Sequence, residues 1–161
     1  MELARAESLA RELMAQWGLT DWNFTWRNSK RMLGCCEVTR NRVTGEITRN
    51  IGLSRFYVKH NSVELVTDTI LHEIAHALAG IHNGHNHIWK RYCNLVGARP
   101  NRTKKAGEVN MPHNWEVVCD KCGEVRRKYF SKPSPKKWAQ YCHGPCGFDS
   151  TLVVQKVAEE A

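Results

Sequence analysis

The sequence predicts an α+β chain in two parts, a compact domain over residues 1–97 and a small cysteine-clasped β module over residues 114–161. Three patterns carry that reading. Helix-period apolar residues open the chain and recur around His72 and His76, period-two runs lie between those two helices, and four cysteines of the last third fall in two close pairs. At 161 residues there is room for one domain of about 100 residues and a stapled module beside it.

From Met1 to Trp17, Leu3, Ala6, Leu9, Ala10, Leu13, Met14 and Trp17 share one helical face, with Arg5, Glu7, Arg11 and Glu12 elsewhere and Gly18 as the stop. The stretch lacks the unbroken apolar region of a signal peptide, and no run reaches the length of a membrane span, so an intracellular, cytoplasmic and reducing location is expected. Trp22, Phe24 and Trp26 then alternate with Asn23 and Thr25, a strand whose aromatic face reads as core. Ile47, Ile51 and Leu53 mark another strand after a turn at Val43-Thr44-Gly45, and the last strand before the next helix is expected to border the cleft and pair with an extended substrate backbone. For that helix Asn61 reads as the N-cap, Glu64 completes a capping box, Val66, Ile70, Ile74, Ala77 and Leu78 form the apolar stripe, and Gly80 ends it. Asn83-Gly84 turns the chain into a further helix with Ile88, Trp89, Tyr92, Leu95 and Val96 at helical spacing. Residues 98–113 have no period, carry Pro100, Gly107 and Pro112 among Arg99, Arg102, Lys104 and Lys105, and read as a linker.

Chemistry concentrates in Leu71-His72-Glu73-Ile74-Ala75-His76, an H-E-x-x-H pattern inside a well-formed helix. At 3.6 residues per turn, His72 and His76 project about 40° apart and Glu73 sits about 60° beyond His76. Two imidazoles grip one metal while the carboxylate reaches a water, the donor set of a zinc centre with Glu73 as general base. A third protein ligand is needed. His82 has the spacing of an H-E-x-x-H-x-x-G-x-x-H site, but Ala79 stands at its glycine position, one residue before Gly80. His85, at the head of the following helix, is placed to point back at His72 and His76, with Trp89 packing beneath, and His82 and His87 read as exposed.

A second metal is indicated by Cys119-Asp120-Lys121-Cys122-Gly123 and Cys142-His143-Gly144-Pro145-Cys146-Gly147, a C-x2-C and a C-x3-C arm separated by a 19-residue spacer. Strand-like runs flank each arm, at residues 115–118, 125–130 and 151–154. The pattern reads as a ribbon holding structural zinc through Cys119, Cys122, Cys142 and Cys146, with His143 as the alternative to one thiolate. Disulfides are the rival, disfavoured by an odd total of seven cysteines, and Cys35, Cys36 and Cys93 read as small core residues.

The run Asp68-Thr69-Ile70-Leu71-His72-Glu73-Ile74-Ala75-His76-Ala77, followed by Gly84-His85 and Trp89-Lys90, resembles the SprT-like zinc metalloproteases, the family that includes the Spartan DNA–protein crosslink proteases. In that family a third histidine comes from a Gly-His-x-x-x-aromatic element, which maps onto His85, and Leu33-Gly34-Cys35-Cys36 and Ile51-Gly52-Leu53-Ser54-Arg55 look like its short strands. His85 is followed by Asn86-His87 where many relatives have Gly-Pro. The resemblance implies a minimal zincin-like catalytic domain over residues 1–97 with catalytic zinc on His72, His76 and His85, and a C-terminal zinc ribbon of the kind common in bacterial members. It also implies endopeptidase activity toward DNA-associated or DNA-crosslinked protein.

The net charge is +8, with +3 in residues 1–97 and +5 in residues 98–161. A four-thiolate zinc contributes −2 and a catalytic zinc +2, so occupied sites leave the excess intact. Arg126, Arg127 and Lys128, then Lys136, Lys137 and Trp138, interleave cations with aromatics, as a groove that tracks phosphates and stacks bases of single-stranded DNA does. Two functional classes follow: a zinc endopeptidase whose tethered ribbon concentrates it on DNA-bound protein, or a nucleic-acid-binding zinc protein with an inert H-E-x-x-H site. Glu73 favours the first, because a structural site needs no carboxylate there. A protease with substrates unrelated to DNA is a third reading.

Overall fold

The computed structural model describes residues 1–104 and 108–157, and the chain divides into two compact units, Met1–Met111 and Pro112–Ala161. In the first, helix α1 (Leu3–Gln16) buries Ala6, Ala10 and Met14, four residues apart on the expected face. Glu7 on its flank accepts a 2.9 Å bond from Trp26 Nε1, which fixes the strand below. That strand, β1 (Asn23–Arg27), lies parallel to β3 (Ile47–Ser54), and β3 pairs antiparallel with β2 (Gly34–Arg40), giving the order β1-β3-β2. Phe24 is buried and Trp22 and Trp26 pack on the same core, as the period-two reading expects. Between β2 and β3, Asn41 Oδ1 accepts from Val43 N and Thr44 N while Gly45 turns the chain at φ +74°. The last strand, β3, does not border a cleft. It is central, and β1 and β2 are the two edges, because the β2–β3 hairpin return lays β3 between β2 and β1; of these strands only β2, at Gly34, lines the cleft.

Helix α2 (Arg55–His60) has no counterpart in the sequence reading. Ser54 Oγ accepts from Tyr57 N at 3.2 Å, so the helix starts where the strand stops, and six residues are too few to display a period. Buried Tyr57 donates to Leu65 O at 2.7 Å and ties α2 to helix α3 (Val63–Ala79). The N-cap of α3 is Ser62, whose hydroxyl accepts from Leu65 N, rather than Asn61. Asn61 is buried one residue earlier, where its amide donates to Tyr57 O and Asn110 O and accepts from Asn110 N. Val66, Ile70, Ile74 and Ala75 are fully buried along α3, and burial of each large aliphatic contributes about 1.5–3 kcal/mol. Helix α4 (His87–Val96) is capped by Asn86, which accepts from Ile88 N and Trp89 N, and it buries Trp89, Cys93 and Val96 against α3.

The described residues of the segment expected to be a linker belong to the first compact unit as far as Met111. Ala98 is buried, and Arg99 donates from its backbone and its Nε to the two oxygens of Asp68 at 2.8 and 2.9 Å. Lys104 also pairs with Asp68, and Glu108 pairs with Arg99. Val109 and Met111 pack on the core. Lys105 and Gly107 lie outside the described residues.

The second unit is a three-stranded antiparallel sheet, order β5-β4-β6, of β4 (Trp115–Cys119), β5 (Val125–Tyr129) and β6 (Leu152–Lys156), with a short helix α5 (Pro135–Trp138). Its core is small: Val117, Cys119 and Leu152, lined by Tyr129, Trp138, Cys146 and Val154. So few apolar contacts leave a module of this size dependent on a staple. Among the described residues no helix is long and apolar enough to cross a membrane.

Candidate metal centres

Helix α3 presents His72 and His76 on one face, and the loop after it delivers His85. Gly80 (φ +87°) ends α3, Gly84 (φ +51°) adopts a conformation few side chains tolerate, and the Asn86 cap then starts α4, so His85 is caught between two turns. The result is convergence. His85 Nε2 lies 3.2 Å from His76 Nε2 and 3.3 Å from His72 Nε2. A tetrahedral ion with Zn–N of about 2.0–2.1 Å spaces its nitrogens about 3.4 Å apart, so His85 stands from each of the other two imidazoles at close to the separation zinc requires. His82 and His87 are exposed and outside the cluster.

Trp89 forms the floor. Its ring is fully buried, with centroids 4.8, 5.2 and 4.6 Å from those of His72, His76 and His85. Burial against it, followed by mutual repulsion among the histidines, lowers His72 to about 3, and burial followed by His85 lowers His76 to about 4. Both rings are therefore neutral at pH 7, the form that ligates metal.

Glu73 is 7% exposed and accepts no hydrogen bond among the described residues. Burial raises its carboxyl to about 8, opposed by the charge of Lys104. Its neighbour across the cleft is Gly34 at the start of β2, where an added Cβ would stand 2.9 Å from Glu73 Oε1 and 3.0 Å from Thr69 Cγ2. Only a glycine lets the edge strand approach the carboxylate this closely. The cleft above, about 530 Å³, runs from Arg31 and Gly34 past the histidines to Asn101, Arg102 and Lys104. The wall formed by residues 101–104 is the part of the site that the sequence reading missed, since no period marks it; Asp68, one turn before His72, anchors it.

In the second unit the ligand atoms of Cys119, Cys122, His143 and Cys146 lie within 4.8 Å of one another. This corrects the four-cysteine set. Cys142 is exposed and stands outside the group, while the adjacent His143 is 2% exposed and points inward. His143 Nδ1 is 3.4 Å from Cys122 Sγ and 3.3 Å from Cys146 Sγ, a soft N/S donor set that suits zinc.

Of the expected nucleic-acid contacts, Arg126, Arg127 and Lys128 are all exposed on β5, an edge strand, rather than alternating in and out. Lys136 and Lys137 are exposed on α5, with Lys137 over the Trp138 ring at 5.8 Å. Trp138 itself is half-buried between Tyr129 and Tyr141, at centroid distances of 6.2 and 5.7 Å.

Comparison with curated proteins gives no match, and comparison with solved structures gives none. The family model of the SprT-like family matches residues 6–113, which takes in the sheet, both histidine-bearing segments and the wall anchored on Asp68. With its three histidines and adjoining carboxylate lying inside that match, the chain belongs to the SprT-like family and carries its metallopeptidase-like domain.

Proposed function

We propose that the first unit is a zinc-dependent endopeptidase that cuts flexible protein segments, and that its substrates are DNA-associated or DNA-crosslinked proteins. The observation that carries the reading is the convergence of three neutral imidazole nitrogens beside a buried carboxylate that takes no part in ligation. Bound zinc supplies Lewis acidity, which eases deprotonation of a water and polarises a scissile carbonyl. Glu73 holds and moves the proton. Buried beside the three histidines without being one of the ligand group, it is placed to accept a proton from the water during attack and return it to the leaving amine. Trp89 keeps water from beneath the ligands, and the free edge of β2, which begins at Gly34 in the cleft, offers backbone groups to an extended substrate.

The DNA half of the proposal rests on the second unit. Exposed cations on β5 and α5 beside a Tyr129–Trp138–Tyr141 aromatic row suit phosphate tracking and base stacking, including on single-stranded regions. A module that holds DNA raises the effective concentration of protein bound nearby. The test compares zinc-loaded wild type with Glu73→Gln on casein and on a DNA-bound protein, with and without the DNA. Cleavage by wild type alone, enhanced when the substrate protein is on DNA, is the expected result. Cleavage with no DNA enhancement would leave a protease with other substrates, and no cleavage by the zinc-loaded protein would leave a nucleic-acid-binding zinc protein.

A further inference from the structure

We propose that zinc in the second unit is held by Cys119, Cys122, Cys146 and the Nδ1 atom of His143, with the Glu124 carboxylate orienting that imidazole through Nε2 and Cys142 left as a free surface thiol. Counting from the cysteines gives unequal arms, two residues between Cys119 and Cys122 but three between Cys142 and Cys146. Counting back from the glycine after each arm makes them equal. Cys122-Gly123 and Cys146-Gly147 both end in a glycine at positive φ, +73° and +79°, and three positions before the second ligand, with two residues between, stand Cys119 and His143 in turn. The two knuckles therefore have the same length and both close on a glycine at positive φ, and the residue in the position of the first thiolate is a histidine.

Local bonding holds His143 in that position. Its backbone N–H donates to buried Ser150 Oγ at 3.0 Å, Ser150 Oγ donates to Gly147 O at 2.7 Å, and Cys146 N–H donates to His143 O at 2.8 Å. His143 and Gly147 form a bridge that closes the knuckle. With Nδ1 facing two sulfurs, the ring's other nitrogen is buried and has no aligned hydrogen-bond partner among the described residues, yet Glu124 Oε2 lies 3.1 Å from it. The separation is that of an ion pair and the angle is not that of a hydrogen bond; a small rotation of a half-exposed Glu124 side chain aligns it. A carboxylate on the outer nitrogen fixes the tautomer that leaves Nδ1 free to ligate. The other oxygen of Glu124 accepts from Arg126 Nη1 at 2.7 Å, so the same carboxylate joins the metal knuckle to the basic edge strand. Three thiolates instead of four also leave the loaded module one unit more positive, in the direction that favours a polyanion.

The experiment uses the full chain, zinc-loaded and then cobalt-substituted, since the histidine centre of the first unit contributes no sulfur-to-cobalt charge transfer. Wild type is expected to show the charge-transfer intensity and visible bands of a three-sulfur, one-nitrogen site. Cys142→Ser should leave that spectrum and a content of two zinc per chain unchanged, whereas His143→Cys should add one thiolate's worth of intensity and move the bands to the four-sulfur pattern. Cys142 should alkylate in the native zinc-loaded protein without zinc release. Glu124→Gln should keep stoichiometry but weaken zinc affinity about 10–100-fold against a chromophoric chelator. A four-sulfur spectrum in wild type, or loss of zinc in Cys142→Ser, overturns the ligand set; unchanged affinity in Glu124→Gln overturns the role of the carboxylate.

Discussion

Replacing Gly34 by alanine should damage the reaction without touching a ligand. The new Cβ would lie 2.9 Å from Glu73 Oε1 and 3.0 Å from both Glu73 Cγ and Thr69 Cγ2, and ordinary contact begins at 3.4 Å. Glu73 or the strand must therefore move by about 0.5 Å. Misplacement of a reacting group by about 1 Å costs on the order of 100-fold, so half of that displacement corresponds to roughly 10-fold in kcat. Overpacking costs about 1–3 kcal/mol of stability, partly offset by about 0.4–1 kcal/mol from the stiffer unfolded chain. Peptide hydrolysis under saturating substrate, zinc content and a denaturation midpoint read these three effects separately. The expected pattern is a kcat lowered at least about 10-fold, zinc retained and KM little changed. Gly52→Ala is the control: its Cβ would meet Cys35 Sγ at 2.8 Å and Thr25 Oγ1 at 3.0 Å on the same sheet, away from Glu73, so it should lower stability more than kcat of the folded protein. Wild-type kcat in Gly34→Ala would refute the claim that this strand start positions the base.

Glu73→Gln should keep zinc and fold while hydrolysis drops by at least ~100-fold, as removal of a positioned general base does; undiminished cleavage would mean another base acts. Trp89→Ala should cost about 3–5 kcal/mol and weaken catalytic zinc binding, while Trp89→Phe, which keeps a ring under the histidines, should retain most of both; equal losses would show that ring stacking is unimportant. In chelated protein, stability should rise with pH up to about 6.5, because His72 and His76 are lowered to about 3 and 4 and bind fewer protons folded than unfolded. Glu73, raised from 4.5 to about 8, binds more protons folded than unfolded, so its contribution falls as pH climbs through that window and dominates above 6.5. Denaturation midpoints of chelated wild type should drop between pH 6.5 and 8, and Glu73→Gln should flatten the drop; an identical slope in both would assign it elsewhere. Neutralising Arg126, Arg127 and Lys128 should weaken DNA binding and reduce its salt slope by about 0.7–0.9 per lost phosphate contact, sparing cleavage of a free peptide. A matched loss on peptide would show that these cations support the fold.

What could be read from the sequence was what local periodicity encodes. Two histidines and a glutamate within one turn of a helix are placed by the helix alone, and Asn83-Gly84 followed by a helix start was enough to single out His85. The ligand-bearing helices, the hairpin at Gly45 and the aromatic face of β1 are local in the same sense. The cleft wall is not. Its anchors join Asp68 to Arg99 and Lys104, 31 and 36 residues on, through ion pairs that leave no repeat in the chain, so a segment with prolines and cations looked like a spacer.

The preference for Cys142 over His143 in the ribbon has a different cause, one that concerns how metal knuckles are built. A cysteine count treats every thiol as equal, but a knuckle is defined by the backbone turn that aims its ligands, and that turn is marked by the glycine at positive φ rather than by the first cysteine. Measured from Gly147, position 143 faces the sulfurs of Cys122 and Cys146, and position 142, one residue before the extended His143, faces solvent, since successive side chains there point to opposite sides. The histidine was therefore legible in the sequence once the spacing was taken from the turn. The same argument makes an insertion variant informative: adding one residue between Cys142 and His143 should leave zinc bound, because the knuckle from His143 to Gly147 is untouched. Adding one between His143 and Cys146 should release it, with metal content per chain as the readout; zinc loss from the first insertion alone would return Cys142 to the coordination shell.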